Sequence, residues 1–158
     1  MKSEILKRKN SRNSGFTILE LLVVIAIAAM IMSFVLVSIS GAKQRSRDAR
    51  REVGIKSLQN ALSIYVTTMN IYPVCASEVV IGSPADTCIG PILISAGVLQ
   101  PNQVPVDPLL GTSGTCGLAN SYAYCYQSTN GSTYAVRYAL ETNTISGKAA
   151  GWQPAIGP

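Results

Sequence analysis

The chain has 158 residues, 47% of them hydrophobic and 13% charged, with four cysteines, no histidine and a formal charge of +5. That length suits one domain plus an anchoring segment, and the missing histidine removes the commonest general base and metal ligand, which argues against a catalytic triad or a zinc site. Five Lys/Arg (Lys2, Lys7, Arg8, Lys9, Arg12) against Glu4 give residues 1–15 a net +4, and eight Lys/Arg against seven acids leave +1 for the rest, so the pooled basicity is no sign of nucleic-acid binding.

Residues 1–14 are polar and basic, without periodicity. From Gly15 to Gly41 the sequence GFTILELLVVIAIAAMIMSFVLVSISG is apolar, interrupted between Phe16 and Ile39 only by Thr17, Glu20, Ser33 and Ser38. A bilayer core of about 30 Å needs about 20 apolar residues in a helix, so this stretch can span. Glu20 stands out, because a charged side chain at the centre of a membrane helix costs roughly 2.5–3.5 kcal/mol. Solvation in the headgroup layer, one turn into the run, is the alternative. A secretory signal peptide is also weighed, since Ala26-Ile27-Ala28 mimics a cleavage site. The run is longer than such peptides carry, however, and it contains Glu20.

Gly15-Phe16-Thr17-Ile18-Leu19-Glu20-Leu21-Leu22-Val23-Val24-Ile25-Ala26-Ile27, behind a short Lys/Arg-rich leader, resembles the N-terminal signature of type IV pilins and the pseudopilins of type II secretion. The resemblance implies that a prepilin peptidase cuts between Gly15 and Phe16 and N-methylates Phe16. It also implies that Glu20 is an assembly residue, neutralising the terminal amine of a neighbouring subunit, and not a catalyst. The implied partners are copies of the chain and other pilin-like subunits in a helical filament, the peptidase, the inner-membrane assembly machinery and, before assembly, membrane lipid. Electrostatics agrees: Glu20 lies four residues from Phe16, one helical turn along, and an amine and a carboxylate attract where water does not screen them. Many pilins carry a helix-breaking proline where Val37 stands here. Without it, Ser40 and Gly41 are the points where the helix would yield.

Past Gly41, Ile55, Leu58, Leu62, Tyr65 and Met69 recur at helical spacing and form one apolar stripe. A helix from Phe16 to about Met69 would be roughly 80 Å long at about 1.5 Å per residue. Its first half, apolar all round, must face lipid or copies of itself; its second half packs under its own domain. The run from Lys43 to Glu52 reads either as a solvated helix face or as charges that meet anionic headgroups or acidic neighbours. Gly54 is a second point of low helix propensity. The stretch from Asp48 to Tyr72-Pro73 also resembles the major-pseudopilin helix, and Pro73 ends the helix.

Val74 to Leu110 reads as irregular, with six of the eight prolines between Pro73 and Pro108. A short helix or a strand near Ile92–Leu99 fits equally well. Gln103 to Pro108 resembles the segment that introduces the sheet in pseudopilins. Ser121–Gln127 then puts Tyr122, Tyr124 and Tyr126 on one face, Asn130-Gly131 offers a turn, and Thr133–Leu140 puts Tyr134, Val136, Tyr138 and Leu140 on one face. At least two antiparallel strands follow, with the tyrosines packed on a helix in preference to forming a binding ladder.

Lysines and arginines on the two sides of the apolar run balance, so loop charge does not orient the chain. Cys75, Cys88, Cys116 and Cys125, an even number confined to the C-terminal half, point to disulfides and a head outside the cytoplasm. Pairing Cys75 with Cys88 and Cys116 with Cys125 is preferred over the other two connectivities. The spacings are not those of a zinc site, and Glu78, Asp86, Asp107 and Glu141 are too spread to form the calcium loop of some pseudopilins.

The expected architecture is α+β: a cleaved leader (1–15), a transmembrane assembly half (16–41) and an amphipathic half (42–72) of one long helix, and a head (73–158) with a small antiparallel sheet. The expected function is that of a non-enzymatic filament subunit, without cofactor or metal, held by a single pass in the inner membrane and found in an extracellular or periplasmic filament after assembly. The alternatives are a membrane-anchored extracytoplasmic binding module and a DNA-uptake pilin. Beyond Ser57 only Arg137 and Lys148 oppose four acids, a net of −2, which suits phosphate binding poorly.

Overall fold

The computed structural model of the chain describes residues 15–158, so the basic leader read in residues 1–14 lies outside the described residues. In chain order the elements are α1 (Ile18–Met69), β1 (Cys75–Val80), α2 (Ile89–Ser95), a 3-10 turn (Pro101–Gln103), β2 (Cys125–Ser128), β3 (Tyr134–Leu140) and β4 (Gly151–Gly157). This is an α+β fold of the expected kind. It divides into two compact units, one ending at Ile39 and the other running from Ser40 to Pro158.

In the first unit α1 is apolar on all sides, and its described side chains are exposed, among them Leu21, Ile27 and Phe34. It is long and apolar enough to cross a membrane. Within it Ser33 Oγ donates to the Met30 carbonyl at 2.7 Å, the usual back-bond of a serine in a helix.

In the second unit α1 stays helical through Ser40, Gly41 and Gly54, the positions of low propensity. Gly54 has a packing reason. A Cβ there would lie 3.1 Å from Tyr124 Oη and 3.3 Å from its Cε2, so the glycine lets a tyrosine ring lie directly against the helix. Ile55, Leu58, Ala61 and Leu62 are buried, with Tyr65 partly so. Met69, the last residue of the stripe, is 47% exposed, because the helix ends there. That end is made by Asn70, not by Pro73. Asn70 takes a left-handed conformation (φ 59°) and its N–H reaches the Val66 carbonyl at 2.8 Å, the usual helix stop for Gly or Asn.

The four strands pair antiparallel in the order β1-β2-β3-β4. Two were not foreseen. β1 lies in the stretch read as irregular; a bulge between Cys75 and Val79 erases its alternation. β4, GWQPAIG, has no element assigned to it from the sequence; it holds a proline between two glycines, yet it forms an edge strand opposite Tyr134–Leu140, where proline is tolerated. The tyrosine strand is shorter than predicted, starting at Cys125. Ala123 is buried and Tyr122 half-exposed, against the expected alternation. The open choice near Ile92 resolves as the helix α2, whose approach is organised by Asp86, which accepts N–H groups of Gly82, Cys88 and Gly90 at 2.9–3.1 Å.

Leu58 and Leu62 of α1 share the core with Tyr124, Tyr126, Tyr134, Tyr138, Val136 and Leu140 of the sheet side and with Ile89 and Leu93 of α2. The tyrosines therefore pack instead of lining a binding face. Tyr126 Oη donates to the Pro73 carbonyl at 2.8 Å, and the Tyr72 N–H donates to Gly131 in the β2–β3 turn. Gly131 sits at φ 74° with the Tyr72 oxygen 3.0 Å from where a Cβ would be, so both space and conformation require glycine. The disulfides are local, Cys75–Cys88 and Cys116–Cys125. They fix β1 to the start of α2 and the loop before β2 to its first residue.

Candidate functional site

Gly15, Phe16 and Thr17 precede α1 in irregular conformation, and Phe16 is 83% exposed. Thr17 is the helix cap, a role the sequence reading did not assign. Its Oγ1 accepts the Glu20 N–H at 3.2 Å, and its carbonyl accepts the Leu21 N–H at 3.2 Å. Thr17-Ile18-Leu19-Glu20 has the spacing of a capping box, which places Glu20 in the first turn, where a carboxylate complements the positive helix end. The Glu20 side chain is exposed and has no hydrogen-bond or ion-pair partner among the described residues. The segment thus joins an accessible Gly-Phe peptide bond, a capped helix start and an uncommitted carboxylate to an apolar rod that none of the described residues covers.

The second charged feature is the run Lys43–Glu52, and only part of it is the exposed face expected: Lys43, Arg45 and Arg50 face outward. Four of its seven charges, Arg47, Asp48, Arg51 and Glu52, bond to the head. Asp48 and Arg51 are fully buried. Arg51 donates through Nε and Nη2 to the two oxygens of Asp107 at 2.6 and 3.1 Å, and through Nη1 to Asp48 at 2.8 Å and Glu141 at 2.6 Å. The guanidinium also lies 4.7 Å from the Tyr122 ring centre, which is why Tyr122 leaves the face of its neighbours. Glu141 takes a second fork from Arg47 at 2.7 and 2.5 Å. Asp48 accepts the N–H groups of Glu141 and Thr142 at 2.9 Å and the Thr142 hydroxyl at 2.7 Å. One turn on, Glu52 receives Lys148 at 2.8 Å and the Tyr138 hydroxyl. Every buried polar side-chain atom among the described residues is paired.

The electrostatics follows from this geometry. Burial pulls the Arg51 guanidinium pKa down, but its bonds to Asp107 and Glu141 outweigh that and raise it. The Arg47 bond holds the Glu141 carboxyl below the usual range against burial, with Arg51 adding to the effect. Burial raises the Tyr124 hydroxyl. The only sequence signal for this cluster is the gap in the apolar stripe between Gly41 and Ile55, with Asp48 and Arg51 at helical spacing inside it.

Glu78 lies near Cys116 and Cys125, but that trio does not make a metal centre. Both sulfurs are spent in the disulfide, and Arg137 forks onto Glu78.

Residues 10–36 match a family model described as the prokaryotic N-terminal methylation motif. The chain is also similar to the type II secretion system core protein G of several bacteria. It is 33% identical over 66 residues to that of Vibrio cholerae, covering 42% of this chain and 45% of the relative. It is 39% identical over 62 residues to that of Aeromonas hydrophila, covering 39% and 43%. To that of Escherichia coli K12 it is 33% identical over 66 residues, covering 42% and 46%. The chain therefore spans under half the length of these curated relatives. No solved structure matches it.

Proposed function

For a chain whose N-terminal segment belongs to the type IV pilin and type II secretion pseudopilin family, we propose the role of a structural subunit of a pseudopilus-like filament. Cleavage falls between Gly15 and Phe16, and Phe16 becomes the methylated N-terminus. Before assembly the apolar half of α1 holds the chain in the cytoplasmic membrane by a single pass, with the disulfide-bonded head outside the cytoplasm. The prepilin peptidase and the inner-membrane assembly machinery act on it there. The observation that carries this reading is the uncovered apolar helix with uncommitted Glu20 in its first turn.

Assembly exchanges lipid contacts for helix contacts in a head-to-tail interface that does not close on itself. Each new subunit brings a methylated amine and takes up a carboxylate. The Glu20 of one subunit neutralises the Phe16 amine of its neighbour, in surroundings where the pair is worth far more than in water. The similarity to core protein G favours the pseudopilus over an extracellular pilus. A tethered binding module or a DNA-uptake subunit has no comparable support.

The test is co-expression with a type II secretion assembly system and recovery of sheared filaments. The native chain enters filaments. Glu20→Ala remains in the membrane with an unchanged head and is lost from them. A Glu20→Ala chain that assembles as well as the native one would refute the role given to the carboxylate.

A further inference from the structure

The charges of α1 are not all used by the head. Arg47 and Arg51 are committed to Glu141 and Asp107, while Lys43, Arg45 and Arg50 are exposed and form no ion pair among the described residues. Lys43 and Arg50 lie seven positions apart and so share one helix face. With Ser46, Arg47 and Pro108 they line an open cleft of about 270 Å³.

Pro108 brings in a second kind of surface. Its loop is held from below by Asp107, whose carboxylate is clamped by Arg51 and also accepts the N–H groups of Leu109 and Leu110 at 2.8 and 3.3 Å. The Gly111 N–H returns to the Asp107 carbonyl at 2.8 Å. So tight a turn leaves its next two side chains no way inward, and Leu109 and Leu110 are 46% and 38% exposed. Two cations without an ion-pair partner among the described residues thus share the cleft with Pro108, the two displayed leucines follow Pro108 in the chain, and Lys43 follows the end of the apolar unit at Ile39 by four residues.

We propose that this cleft and the Leu109-Leu110 turn form a docking surface for the headgroup layer of an anionic bilayer. Lys43 and Arg50 take lipid phosphates, and the two leucines enter the boundary between headgroups and acyl chains. The inference rests on the membrane-anchored reading above. Charge complementarity favours lipid: anionic headgroups offer phosphate and apolar boundary side by side, and basic residues at a membrane surface are each worth about fivefold in binding. Docking holds the unassembled subunit at the membrane surface, and entry into a filament must release it.

The full chain in bilayers of mixed phosphatidylcholine and phosphatidylglycerol, carrying a photoreactive leucine analogue at position 109, tests this. After irradiation, phosphatidylglycerol adducts exceed their molar share by about fivefold for each basic residue engaged. In the K43Q/R50Q double variant they fall to that share, while flotation of the chain with the bilayer is unchanged. Adducts in the molar ratio of the two lipids, adducts to a second copy of the chain, or no lipid adduct in a chain that floats would each overturn the docking surface alone. A chain that does not float with the bilayer overturns the anchored reading itself.

Discussion

Arg51 and Asp107, 56 residues apart in sequence, meet as a two-point ion pair with both side chains fully buried. The pair ties α1 to the loop leading into the sheet. Asp48 and Glu141 complete the shell around the guanidinium, so the buried cation is compensated on every side that carries a donor.

Removing one member leaves the others charged and buried, which costs about 3–5 kcal/mol. Arg51→Ala and Asp107→Asn are each expected to lower the denaturant midpoint of the detergent-solubilised chain by that much. Arg51→Lys rescues little, because an ammonium cannot fork onto Asp107 and still reach Asp48 and Glu141. Near-native stability in Arg51→Ala would show that the network is ornamental.

Glu141 gives the cluster a pH dependence. Its folded pKa is lowered by Arg47 and Arg51, while the unfolded value is near 4.3. Between the two the unfolded chain binds more protons, so stability rises with pH there. The contribution is complete above about pH 5 and drains as the pH falls through the folded pKa. Melting temperatures are therefore expected to hold from neutrality to that point and then fall. Glu141→Gln starts lower at neutral pH and loses less on acidification.

Much of this was legible in the sequence, for identifiable reasons. The apolar run with Glu20 and the stripe Ile55-Leu58-Leu62 are patterns with a period, and buried tyrosines at strand spacing announced β3. What was missed has no period. β1 carries a bulge, β4 contains Pro154 between two glycines, and both are strands only because a neighbour is there to pair with. The charged run misled because its composition is that of a solvated face. Only the distant Asp107, Glu141 and Lys148 turn it inward.

Gly54 separates helix propensity from packing. In an exposed helix Gly→Ala gains up to about 1 kcal/mol. Here the new Cβ, at a half-buried position, meets the Oη of buried Tyr124 at 3.1 Å. Gly54→Ala is expected to be neutral or destabilising in the native background, and to become stabilising in Tyr124→Phe, where the obstructing oxygen is gone. A double-mutant cycle by chemical denaturation measures that coupling. Simple additivity would remove the Tyr124 contact as the explanation.

The disulfides should be complete and structural. The unfolded, unreduced chain is expected to take up no thiol reagent, and the reduced chain to be labelled at four cysteines. Replacing Cys75 and Cys88 together by serine costs about 2–5 kcal/mol, read as a lower denaturant midpoint. Mixed peptide pairings on mass mapping would contradict the local connectivity.

The most direct measurement is the intact mass and N-terminal residue of the membrane-extracted chain, expressed with and without a prepilin peptidase. With the peptidase, the chain is expected to begin at a methylated Phe16; without it, residues 1–15 remain. A chain that keeps Met1 in the presence of an active peptidase, or one cut near Ala28, would contradict processing at Gly15 and with it the assembly of this protein through its N-terminal helix.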